Sequence, residues 1–170
     1  GFSAIAWIRG HAKEWNVDAE RIVVCGFSES IPLAEGLMTL WKDALLLEKV
    51  GYAPQHLRPD AGILIRFFNS QSSPEEVTTP NSAAQRVDCD TPPAFIWCQS
   101  AGSTSSENRL AGKINFDLLT TFATALLQNG RPAELHIFGE NTHGYSLAVD
   151  RSTLQKSERS TCEWLEPAER

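Results

Sequence analysis

The segment Ile22-Val23-Val24-Cys25 sets four apolar residues side by side without alternation, and Gly26 closes it. A strand with one solvated face alternates polar and apolar residues, so an unbroken run points to a strand covered on both faces, as in a parallel sheet. Three more strand candidates follow. They are the apolar run Ala61 to Phe68 behind the connector Ala53 to Asp60, Ala94 to Cys98 behind Pro92-Pro93, and Ala133 to Phe138. Helical periodicity fills the spaces between them. Ala4, Ile5, Ile8, Ala12 and Trp15 recur at helical spacing, with Ser3 suited to cap the helix and Asn16 to stop it. A second helix is predicted from Pro32 to about Lys49, with Pro32 in its first turn. A long one runs from about Glu107 to Gln128, ended by Asn129-Gly130. With a weakly helical tail from Ser152 to Trp164, this order predicts an α/β fold: a three-layer α/β/α arrangement on a mostly parallel sheet with right-handed crossovers.

The chain of 170 residues, 42% hydrophobic and 21% charged, has the size and make-up of one domain, taken as residues 1–170. Residues 69–90, rich in Ser, Thr, Pro and Asn, read as a surface excursion. A net charge of −6 and the lack of a basic cluster speak against nucleic acid or an anionic membrane as partner. No apolar run reaches the ~20 residues that cross a bilayer. Gly1-Phe2-Ser3-Ala4 shows no basic stretch leading into an apolar one, and the four cysteines (Cys25, Cys89, Cys98, Cys162) lack metal-type spacing. The expectation is a cytoplasmic protein with reduced thiols and no metal.

Chemistry concentrates at Gly26-Phe27-Ser28-Glu29-Ser30, between a strand and a helix. A serine on a sharp strand-to-helix turn has its Oγ pushed out of the sheet, and small neighbours let the backbone fold that tightly. The amide of Glu29 then points toward a developing oxyanion, aided by the helix N-terminus. The usual pattern is Gly-x-Ser-x-Gly, and Ser30 stands at the last glycine, small enough for the turn to form but with some strain in the turn. The same residues also suit a plain tight connection in which Ser28 caps the helix.

A general base for such a serine belongs in the loop after the last strand, where His143 lies within Asn141-Thr142-His143-Gly144. His11, His56 and His136 fall in a helix, a connector and a strand, and read as structural or solvated. An acid orienting the histidine is expected after the third strand, but Gln99 to Ser106 holds no carboxylate. Glu107 is the nearest candidate, at a helix start where a carboxylate also serves the helix dipole. Asp88, Asp90 and Asp117 are weaker ones.

These residues resemble a known family. Trp7-Ile8-Arg9 and Asn16 through Ser28 are similar to the approach to the nucleophile in acetyl-xylan-esterase-like carboxylesterases of the α/β-hydrolase superfamily. Arg58 to Ile65, Thr91 to Trp97, Glu107-Asn108, Glu134 to Phe138 and His143 to Ala148 resemble their later elements, in order along nearly the whole chain. The resemblance implies the C-terminal half of an α/β-hydrolase, ester hydrolysis of small acyl or acetyl esters (some of them of sugars), and no cofactor. It makes Ser28 the nucleophile and His143 the base. Three departures stand out. Ala101-Gly102 replaces the family's Asp-Asp pair, Glu29-Ser30 replaces Ala-Gly, and the N-terminal strands with their His-Gly-Gly oxyanion loop have no counterpart in this sequence.

In a whole α/β-hydrolase the nucleophile strand has a neighbour on each side. Without one of them residues 22–25 form an open apolar edge, so the chain is expected to pair with a second copy or with a partner chain. Two functions remain open: a serine carboxylesterase, or a degenerate homologue that binds a ligand or partner, or performs non-hydrolytic chemistry, through the old cleft.

Overall fold

The computed structural model describes residues 1–66, 83–99 and 106–138, with backbone alone for 99, 106–116 and 138. Helix α1 (Phe2–His11) leads to strand β1 (Val23–Phe27), followed by a 3-10 turn at Ser28–Ser30 and helix α2 (Ile31–Thr39). Helices α3 (Ala44–Val50) and α4 (Pro54–Leu57) precede β2 (Ala61–Arg66). Strand β3 (Ala94–Gln99), helix α5 (Ser106–Gln128) and strand β4 (Ala133–Phe138) complete the order. The four strands pair in parallel in the order β1-β2-β3-β4, with Phe27 beside Ile65, Trp97 beside Ile65 and His136 beside Trp97. All four carboxyl ends therefore lie along one edge of the sheet.

Leu64, Ile96 and Cys98 meet Ile31, Ala34 and Met38 of α2 and Leu119, Phe122, Ala123 and Leu126 of α5 in the main core. Each large side chain fully buried there contributes about 1.5–3 kcal/mol. Helix α1 lies alongside, its Ile5 packed with Leu37 of α2 and Ile22. These three helices cover one face. The opposite face carries Phe27, Ile63, Ile65, Phe95 and Trp97, with Ile65 and Trp97 fully buried. The tail helix expected at 152–164, which the three-layer reading needs on that face, lies outside the described residues.

Three elements differ from the sequence reading. The helix expected from Pro32 to Lys49 is two helices, because Asp43 starts a new one: its carboxylate accepts the Leu46 N–H at 3.0 Å. The first helix ends at His11 rather than Asn16, and a turn follows in which the Val17 N–H reaches the Ala12 carbonyl and Asn16 takes φ 54°. Strand β1 is not covered on both faces. Val23 is 48% exposed and Cys25 is exposed, because β1 is an edge strand and the described helices cover only one of its sides. Within the stretch 69–90, residues 69–82 lie outside the described ones. Ala83–Arg86 form a 3-10 turn whose Ala83 and Ala84 pack against the core, and Val87 is buried.

Candidate functional site

Strand β1 delivers the chain to Ser28, whose φ of 49° lies in the left-handed region. For a residue with a Cβ that conformation costs about 1–2 kcal/mol, so the surrounding turn must hold it. Three contacts do so. The Ile31 N–H donates to the Ser28 carbonyl. The Phe27 N–H donates to Ser30 Oγ at 2.7 Å, and the Ser30 hydroxyl donates to the Phe27 carbonyl at 2.8 Å. Gly26 lets the helix come close: a Cβ there would stand 2.8 Å from Ala34 Cβ and 3.0 Å from Ile31 Cα.

The strain expected in the turn falls on Ser28 and not on Ser30. Ser30 has φ −87° and ψ −2°, ordinary helical values, so no glycine is required and the strained residue is Ser28. Ser30, not Ser28, holds the N-cap position of α2, which removes the reading of Ser28 as that helix's cap. Ser28 is half-buried and Glu29 exposed, its amide within the first turn of the helical stretch.

The remaining candidates divide by place. His143 lies outside the described residues. Glu107 sits in the first turn of α5, but its side chain lies outside them too. Asp88 and Asp90 precede β3 and therefore flank the amino end of the sheet, about 20 Å from the carboxyl end across a six-residue strand. They bind Lys42 there, at 2.6 and 2.9 Å. Burial works to raise the Asp88 carboxyl, but hydrogen bonds from Lys42, the Asp90 amide and Thr91, with the Lys42 charge, hold it below its usual value. Neither can serve Ser28. Asp117 is exposed on α5. His11 clusters with Trp7 and Trp15, ring centroids 4.7 and 5.4 Å away, His56 is exposed on α4, and His136 bonds Glu134 at 2.6 Å.

One titratable group was not legible as part of this region. Glu35, one turn into α2, is largely buried, and burial pushes its carboxyl up to about 7 against the opposing pull of Arg66 and Arg86. Arg66 ends β2, beside the turn at Ser28, and Arg86 also donates to Thr39 Oγ1 at 3.3 Å. No described helix is long and apolar enough to cross a membrane.

No family model matches the chain. It is 26% identical over 162 residues to endo-1,4-beta-xylanase B of Butyrivibrio fibrisolvens, an alignment spanning 86% of this chain and 24% of that protein. It superposes on an acetyl ester-xyloside bifunctional hydrolase from Caldicellulosiruptor lactoaceticus with a TM-score of 0.60 at 25% identity, over 98% of this chain and 63% of the other. The carboxylesterase Cest-2923 from Lactobacillus plantarum gives a TM-score of 0.66 at 21% identity, over 97% and 62%. The fold is that of an α/β-hydrolase, and the structures sharing it are carboxylesterases and sugar hydrolases. This chain spans less than two thirds of each of those two structures and about a quarter of the xylanase.

Proposed function

We propose that the chain is a serine carboxylesterase acting on small acyl or acetyl esters, sugar esters among them. The observation that carries this reading is Ser28 at φ 49° on the turn between a parallel strand and its helix. In it, Ser28 Oγ attacks the ester carbonyl while His143 takes the hydroxyl proton. The Glu29 amide donates to the resulting oxyanion. Collapse of the tetrahedral intermediate expels the alcohol, which leaves with the proton from His143, and water then releases the acid by the same steps.

The sheet leaves room for this. Ser28 follows β1 and His143 follows β4, three strand spacings or about 14 Å apart across the sheet. Five residue steps lead from Phe138 to His143, and an extended chain of that length reaches about 17 Å. The acid is assigned to Glu107. Loss of the correct histidine tautomer costs a serine protease ~10⁴ in kcat, so a poorly placed acid predicts slow turnover rather than none.

A degenerate, ligand-binding role is favoured by two specific features. Glu29 places a carboxylate beside the oxyanion position, and the stretch Gln99 to Ser106 offers no acid. A fluorophosphonate probe separates the readings. Labelling of the wild type, lost in Ser28→Ala and slowed in His143→Ala, supports hydrolysis. No labelling of folded protein overturns it.

We also propose that a second polypeptide, either another copy or a partner chain, pairs along β1. Its apolar residues Val23 and Cys25 are exposed at the sheet edge.

A further inference from the structure

We propose that Ser30 is a positioning residue for Ser28, its hydroxyl acting as a clamp that keeps the nucleophile turn in the left-handed conformation. The inference rests on the reading of Ser28 as nucleophile. Ser30 Oγ accepts the Phe27 N–H at 2.7 Å and donates to the Phe27 carbonyl at 2.8 Å, so one hydroxyl ties both backbone groups of the residue before Ser28 to the residue two beyond it. Ser28 is thereby enclosed between two points fixed to each other. On one side Phe27 is held in the sheet through its pairing with Ile65. On the other Ser30 is the first residue of the α2 boundary, and its carbonyl lies 3.3 Å from where a Gly26 Cβ would stand. With both ends fixed at this separation, the two residues between them, Ser28 and Glu29, must turn tightly, and Ser28 takes φ 49°. A glycine at position 30 would allow the same tight turn by its small size but could not form either bond. The sequence here uses the hydroxyl in place of that freedom.

Because Ser30 is exposed, replacing it removes the two bonds without opening a cavity. Ser30→Ala is expected to lower kcat for a short-chain nitrophenyl ester, and the fluorophosphonate labelling rate, by about tenfold with KM unchanged, the loss of roughly two neutral hydrogen bonds. Ser30→Thr keeps the oxygen and is expected to restore both. The same variants also give readouts that need no activity. In a crystal structure of Ser30→Ala, residue 28 is expected to leave the left-handed region, and hydrogen exchange at the Phe27 amide is expected to speed up. Labelling of Ser30→Ala at the wild-type rate, or residue 28 still at positive φ with the Phe27 amide as protected as before, overturns the clamp. A wild type that never labels overturns the nucleophile reading instead, and the crystal and exchange measurements still decide whether Ser30 holds the turn.

Discussion

Gly26 and Ala34 are in such close register that a methyl group on the first would stand 2.8 Å from the methyl of the second. The strand that delivers Ser28 and the helix that follows it are packed backbone against side chain at this point. Gly26→Ala is therefore expected to destabilise the fold by about 1–3 kcal/mol, the usual range for overpacking a core. The pair Gly26→Ala with Ala34→Gly should recover part of that loss. Urea unfolding midpoints of the two variants check this, and equal stability of Gly26→Ala and wild type would contradict the packing.

Asp60 ties the amino end of the sheet to α1. Its Oδ2 accepts the Ile22 N–H at 2.8 Å and Arg9 Nη2 at 3.1 Å, while Arg9 also donates to the Ala19 and Arg58 carbonyls at 2.6 and 2.8 Å. Asp60→Ala leaves a mostly buried guanidinium and a backbone amide short of an acceptor, which is expected to cost about 2 kcal/mol. The remote position predicts a lower thermal midpoint with the fluorophosphonate labelling rate of the folded protein unchanged.

Glu35 gives a pH dependence of definite sign. Burial raises its carboxyl from 4.5 to about 7 in the fold, so between those values the native state keeps a proton that the unfolded chain has lost. Stability therefore falls as pH rises from about 4.5 to about 7 and levels off above that. The contribution is about 3 kcal/mol in full. Glu35→Gln, which mimics the neutral form, is expected to flatten this slope and to be more stable than wild type at pH 8. Denaturant titrations at pH 5, 6, 7 and 8 measure it.

Pairing along β1 predicts a concentration-dependent oligomer or a stable complex. Val23→Lys places a charge on the exposed edge, a common device against strand addition, and is expected to weaken the association. Sedimentation velocity of wild type and variant is the measurement. A well-behaved monomer at every concentration, with no partner strand acquired, counts against pairing.

Apolar runs made the first three strands visible in the sequence, since a strand inside a parallel sheet has few places to expose polar groups. The tight turn at Ser28 was visible for a similar reason: a strand, small residues and a helix in close succession require one. The break in the second helix was not seen, because the apolar spacing continues through Leu45 to Leu47 while the decisive bond is local, from the Leu46 amide to Asp43. Strain in the turn was expected, but which residue carries it was not legible. Counting glycines suggests where a turn is crowded, but which residue takes positive φ depends on how the helix is pressed onto the strand.

By itself, then, the sequence determined the class of fold, the order of its elements and the serine on which the chemistry is proposed to turn. All of these follow from local pattern and short-range sterics. Tertiary structure alone decided that Asp88 and Asp90 flank the amino end of the sheet, far from Ser28, since only strand direction separates acids so close to β3 in sequence from the other edge. It also decided that β1 is an edge strand of the described sheet, that Glu35 is largely buried within the pull of Arg66 and Arg86, and that the Ser30 hydroxyl closes on Phe27. Each depends on where separate segments meet, and their burial and approach set those energies.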